Sequence, residues 1–270
     1  MAHCERGDEY LVGADAHTYK FEGGGAAVLG SIQPQPIPHD ADGTLPLDKV
    51  AAAIKPVDPH FARTRLLALE NTWHGRVLPL DYLRAAHDFA RERGLAIHLD
   101  GARLYNAAIA GGVAAREIAQ HFDSVSVCLS KGLGAPVGSV LVGSAALIDK
   151  ARRWRKVAGG GWRQAGLLAA AAQYALDHHV ARLADDHARA VALAAGLRDI
   201  PGIRLLGQFT NMVFIDVPAD RLRDLDVHLR EAGVRISIGY LPTLRLVTHL
   251  DVSDEGIART VDAFRRFFAP

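Results

Sequence analysis

A chain of 270 residues, 49% of them hydrophobic, can bury a sizeable core as one large α/β unit or a large domain carrying a smaller one. Its 31 basic and 30 acidic side chains nearly cancel, so no long-range field favours nucleic acid or an anionic membrane. The two cysteines, Cys4 and Cys128, form neither a C-x-x-C pair nor a metal-ligand cluster, which suits a reducing compartment and predicts a cytoplasmic protein without a disulfide framework.

The opening "MAHCERGDEYLVG" lacks an apolar signal-peptide core and reads as the end of a helix turning into a strand, as though the domain began upstream. Short β-rich runs then alternate with amphipathic stretches. The strands are "EYLVGA", "IQPQPI", "TRLLALE", "LAIHLD", "SVSVCLS" and "SVLVG", and "PLDYLRAAHDFARERG" is the plainest helix. This order predicts an α/β fold with a mostly parallel sheet flanked by helices. One β-α-β unit stands out: residues 95–100, a helix over 114–122, and residues 124–130.

Beyond Lys150 the pattern becomes a long alanine-rich connecting helix running to about residue 200. The tail offers strands at "IRLLG", "NMVFIDV", "GVRIS" and "TLRLVTH" and helices over 219–232 and 253–268, a small α+β layer. The expected division is a large domain over 1–180 and a small one over 181–270.

Three patterns are set aside. "GLGAPVG" (132–138) has the wrong spacing for a dinucleotide loop and is followed by a strand rather than a helix N-terminus. "DADGT" (40–44) resembles the start of a calcium loop, but Ala51 stands where the closing glutamate belongs, so it reads as an Asp-Gly turn. His178, His179 and His187 fall on a charged stretch, 177–189, that reads as a solvated helix face, and no catalytic metal is expected.

The informative pair is Asp100 with Lys131, each at the C-terminal end of a predicted parallel strand of one β-α-β unit, where open α/β sheets bind ligands. An aspartate closing the apolar run "LAIHL" needs a positive or hydrogen-bonding partner, and Arg103 is near enough in sequence to be one. The bland alternative is an Asp100–Arg103 turn ion pair beside a surface lysine. A cofactor that uses both a lysine amine and a carboxylate is pyridoxal phosphate, the amine forming a Schiff base and the carboxylate keeping the pyridine nitrogen protonated.

"HLDGARLYNA" (98–107), "CLSKGLGAPVGSVLVG" (128–143), "RKVAGGGWRQAGLLAAA" (155–171) and "LRLVTHLDVS" (244–253) together resemble the low-specificity L-threonine aldolases, of the aspartate-aminotransferase type of pyridoxal-phosphate fold. The resemblance implies cleavage of L-threonine, L-allo-threonine and related 3-hydroxy amino acids to glycine and an aldehyde, by a homotetramer or dimer. It makes Lys131 the Schiff-base lysine, Asp100 the ring-nitrogen partner and Arg103 a contact near the ring's phenolic oxygen. It makes His17 the histidine over the ring, His60 a contact of the substrate hydroxyl, and Arg245 the ligand of the substrate carboxylate. His17 or His60 would supply the base. Ser130 becomes a candidate phosphate contact, and Lys156 and Arg163, flanking "VAGGGW", lie near the phosphate and a subunit interface. Where relatives usually read "ENTHN", this chain has "ENTWHG" (70–75), which moves the histidine to His74. Relatives also carry an upstream Gly-Thr turn that binds phosphate, so the alternatives are a catalytically incomplete truncated chain, or β-elimination or racemisation on the same scaffold.

Overall fold

The computed structural model describes residues 1–239 and 243–269. Six strands form the main sheet: β1 (Asp8–Gly13), β2 (Gln33–Ile37), β3 (Arg63–Glu70), β4 (Ala96–Asp100), β5 (Ser124–Cys128) and β6 (Ser139–Gly143), in the order β2-β1-β3-β4-β5-β6. Strands β1 to β5 pair in parallel and β6 is antiparallel to β5. This is the mostly parallel sheet that alternating strand and helix patterns predict.

The helices between the strands are α1 (His17–Lys20), α2 (Gly25–Gly30), α3 (Leu47–Ala53), α4 (Leu80–Glu92), α5 (Leu104–Gly111) and α6 (Ala115–Ala119). Helix α4 starts from Pro79, whose backbone is extended, and buries Leu83, Ala86 and Ala90, a three-to-four-residue stripe against the sheet. The β4–β5 crossover is two helices, not one. Gly112 ends the first in a left-handed conformation (φ 63°) that glycine takes without steric cost.

After β6 come α7 (Ala145–Val157), α8 (Gly166–His178) and α9 (Leu183–Leu197). The single long helix expected here is therefore interrupted at residues 179–182. No glycine or proline marks the break. Ala175 before the break and Leu183 after it both pack into the core under the main sheet, so tertiary contacts set the turn, and α9 then carries the chain to a second core at Leu193 and Leu197. The break also corrects the solvated-face reading of two histidines: His179 Nδ1 lies 2.6 Å from the Leu133 carbonyl and His187 bonds Asn106, both half-buried, while His178 is exposed.

The second layer is a three-stranded antiparallel sheet, β7 (Arg204–Phe209), β8 (Met212–Asp216) and β9 (Thr243–Val247), with α10 (Leu222–Glu231) and α11 (Asp254–Phe268). The expected strand "GVRIS" does not form: Val234, Ile236 and Ile238 pack on this core without entering a ladder. Alternating apolar residues satisfy burial there, but a strand also needs an edge to pair with. Residues 1–7 are not helical either. Cys4 is buried with Tyr10 and Val12, and the chain turns at Glu5–Asp8 into β1. "DADGT" is a turn, with Gly43 N–H donating to the Asp40 carbonyl and Asp42 accepting from Thr44. No helix of the described residues is long and apolar enough to cross a membrane.

Candidate active site

Parallel strands all present their C-terminal ends on one edge of the sheet, so the residues that follow them converge there. Asp100 ends β4 in register with Glu70, the last residue of β3. Lys131 follows β5 in the β5–β6 connection, whose turn is closed by Gly134 N–H donating to the Lys131 carbonyl. Gly134, at φ 73°, supplies the left-handed residue this turn requires, which accounts for part of "GLGAPVG" without any nucleotide. His17 opens α1, four residues past the end of β1.

Burial raises the Asp100 carboxyl above its usual range, opposed by the Ala102 N–H and by the charges of Lys131 and His17. A carboxylate that reaches the interior with cations beside it is a site for a protonated ring nitrogen or another positive group. Asp100 and Arg103 do not pair with each other: Asp100 Oδ1 accepts from Ala102 N–H at 3.1 Å, and the buried Arg103 Nε has no partner among the described residues. Burial and the neighbouring Arg245 charge both lower the Arg103 pKa. A buried donor left unbonded costs about 1–3 kcal/mol, so its persistence points to an acceptor that a ligand brings.

A cavity of about 400 Å³ opens at this point, between Arg103, Ser130 and Lys131 on one side and Asn211, His249 and Asp251 on the other. Arg245, on β9, lines an adjoining cavity of about 250 Å³ that shares His249 and Val247 with the first. Pyridoxal phosphate needs an amine, an acid for its ring nitrogen, and donors for its oxygens. The half-buried Lys131 and Asp100, the orphaned Arg103 Nε and the Ser130 hydroxyl fit that set.

Three expected residues lie elsewhere. His60 precedes β3, at the opposite edge of the sheet beside a cavity lined by Arg6, Asp8 and Arg63, where it pairs with Asp58 and its side chain is 85% exposed. The physical reason is direct: a residue before a parallel strand cannot reach the end where the strand finishes. Lys156 and Arg163 are exposed, at the end of α7 and just beyond it, and neither lines the cavity.

Residues 1–220 match the family described as Beta-eliminating lyase. The chain belongs to that family. Over 269 residues it is 55% identical to the low specificity L-threonine aldolase of Escherichia coli K12, covering all of this chain and 80% of that protein. The low-specificity L-threonine aldolase 1 of Arabidopsis thaliana is 40% identical over 282 residues, with coverage of 98% and 77%. In fold, the chain is similar to the Leishmania major threonine aldolase, at TM-score 0.80 and 21% identity over 99% of this chain and 80% of that one. The cysteine desulfurase CsdA of Escherichia coli has the same architecture at TM-score 0.72 and 19% identity, over 97% and 72%. Both structural likenesses speak of fold alone.

The fold also brings to the site residues that reading for lysine and aspartate passes over. Glu22 pairs with His17 Nδ1 at 2.7 Å, and Glu70 Oε2 accepts the His17 backbone N–H at 2.7 Å. Burial pushes the Glu70 carboxyl up to about 7, with Asp100 adding to the rise and the His17 N–H, Lys131 and Arg103 opposing it. The signal for Glu70 is in the sequence: it closes the apolar run "LLAL" as Asp100 closes "LAIHL". His74, one place after Trp73, is half-buried near Arg245 and Asp15, and burial lowers its pKa. Trp73 stacks on His39 with ring centroids 4.5 Å apart. Gly13 and Gly43 make room for that stack, since a Cβ at either would lie 2.1 Å from the His39 ring or 2.7 Å from Trp73.

Proposed function

We propose that the chain cleaves L-threonine, L-allo-threonine and related 3-hydroxy amino acids to glycine and an aldehyde, with pyridoxal 5'-phosphate as cofactor. The observation that carries the reading is the placement of Asp100 and Lys131 at the ends of the neighbouring strands β4 and β5, where the lysine charge favours the ionised carboxylate, in a chain 55% identical to a low specificity L-threonine aldolase. When bound, the cofactor supplies an electron sink for the bond that breaks at Cα.

The chain's residues do the rest. Lys131 offers the amine that ties the cofactor to the protein, and Asp100 holds a proton on the ring nitrogen. Arg103, with its free Nε, would donate to an oxygen of the bound cofactor, and Ser130 would offer its hydroxyl to the phosphate. Arg245 would bind the substrate carboxylate, a planar fork for a planar group, and so fix the orientation of the substrate. His17 or His74 takes the hydroxyl proton. Burial favours the neutral, accepting form of His74. Two free cysteines, one of them buried, support a cytoplasmic setting, and the exposed apolar residues Val28, Leu29 and Leu167 support assembly as a homo-oligomer.

The test is direct. The purified chain, titrated with pyridoxal phosphate, is expected to develop the visible absorbance of a lysine-bound cofactor and to release acetaldehyde and glycine from threonine. Lys131→Ala is expected to abolish both. Absence of cofactor binding even in excess defeats the reading, and 2-oxobutanoate with ammonia from threonine, or pyruvate with ammonia from another amino acid, reassigns the reaction to β-elimination.

A further inference from the structure

We propose that Glu70 is a positioning residue for this reaction: its carboxylate captures the backbone N–H of His17 and so holds the imidazole near Asp100. The inference rests on the aldolase reading for its catalytic consequence, but the contact itself does not.

The argument starts from what α1 lacks. It is a four-residue helix, and the residue before it, Ala16, has no side chain with which to cap it. The acceptor for the first N–H comes instead from a strand 53 residues away, Glu70 Oε2 at 2.7 Å. Glu70 is a fixed point, because it ends β3 in register with Asp100 and the residues before it, Leu67, Ala68 and Leu69, are buried. The other end of His17 is fixed by Glu22 on Nδ1. Backbone and ring are thus both held by carboxylates, one half-buried and one exposed.

The half-buried one, Glu70, is sensitive to its surroundings. Facing it are the like charge of Asp100 from β4, the cations Lys131 and Arg103 from the connections after β5 and β4, and the His17 N–H from α1. Burial dominates and sets the carboxyl to change charge at about 7. Above that pH the carboxylate accepts a charge-assisted bond, roughly twice as strong as the neutral one that remains below it. His17 is therefore held firmly on the alkaline side and released by degrees on the acid side.

Two variants separate this from a merely structural role. Glu70→Gln keeps the shape and an accepting carbonyl but cannot titrate, whereas Glu70→Ala removes the acceptor. In the chain without cofactor, the amide resonance of His17 is expected to move with pH through a midpoint near 7 and to stay still in E70Q. With cofactor, kcat/KM for threonine is expected to fall on the acid side of that midpoint. E70Q should flatten the fall, and E70A should lose about tenfold at alkaline pH, the value of one charge-assisted bond. A His17 amide that does not titrate in the unmutated chain overturns the proposal. So does an acid limb that survives unchanged in E70Q. A titrating amide in a chain that never cleaves threonine overturns the aldolase reading and leaves the Glu70–His17 link standing.

Discussion

Gly101→Ala tests whether the turn after β4 is built as the site requires. Gly101 N–H donates to the Ser126 carbonyl of β5 at 2.8 Å, and the chain turns there from Asp100 to Arg103. A Cβ at Gly101 would stand 2.8 Å from that same Ser126 oxygen and 2.9 Å from Val125 Cγ1. The first obstacle is backbone in the next strand, so it cannot swing aside as a side chain does. Crowding of this kind costs about 1–3 kcal/mol, and stretching the Gly101–Ser126 bond adds about 1 more, for a total of roughly 2–4 kcal/mol. The displacement falls on both Asp100 and Arg103, so pyridoxal phosphate affinity should drop at least about tenfold, the equivalent of 1.4 kcal/mol. Urea unfolding of the unloaded chain and cofactor titration by absorbance measure the two effects separately. Gly166→Ala is the control, since a Cβ there meets nothing within 4 Å at the start of α8, and stability should stay within about 0.5 kcal/mol or rise. If G101A unfolds at the wild-type urea midpoint and binds the cofactor equally well, the steric account of this turn is wrong.

His60→Ala should leave both the cofactor absorbance and the rate of threonine cleavage near wild-type values, because His60 stands at the far edge of the sheet. A large loss in that assay would require His60 to act in another copy's site. His98, bracketed with His3 around the Ser124 hydroxyl, has its pKa lowered by burial to about 4 from 6.5. Its folded pKa is depressed, so the stability it contributes is complete above pH 6.5 and is lost as pH falls through about 4. A displacement of that size amounts to about 3 kcal/mol, and urea unfolding of His98→Gln should lack that part of the acid slope. An unchanged slope would refute it.

Much of the architecture is legible in the chain itself. Strand-length apolar runs alternating with amphipathic helices admit few arrangements other than a parallel sheet, and Asp100 closing one run with Lys131 after the next points to one edge of it. Chain order also held more than was first drawn from it. A residue that follows a parallel strand belongs to the site edge and one that precedes it does not, which separates His17 and Glu70 from His60 before any coordinates are known.

The break between α8 and α9, the failure of "GVRIS" to pair and the half-buried places of His179 and His187 have a different origin. No local signal marks them, because each is decided by contacts with elements distant in the chain. Periodicity and strand order, which are local and directional, are written in the sequence, and with them the fold and the lysine–aspartate pair. Contacts between elements far apart in the chain are not. The bond from Glu70 to His17 and the orphaned Arg103 Nε depend on which strands lie side by side in the main sheet, the approach of β9's Arg245 to the site depends on how two separate cores pack, and only the tertiary structure decides them.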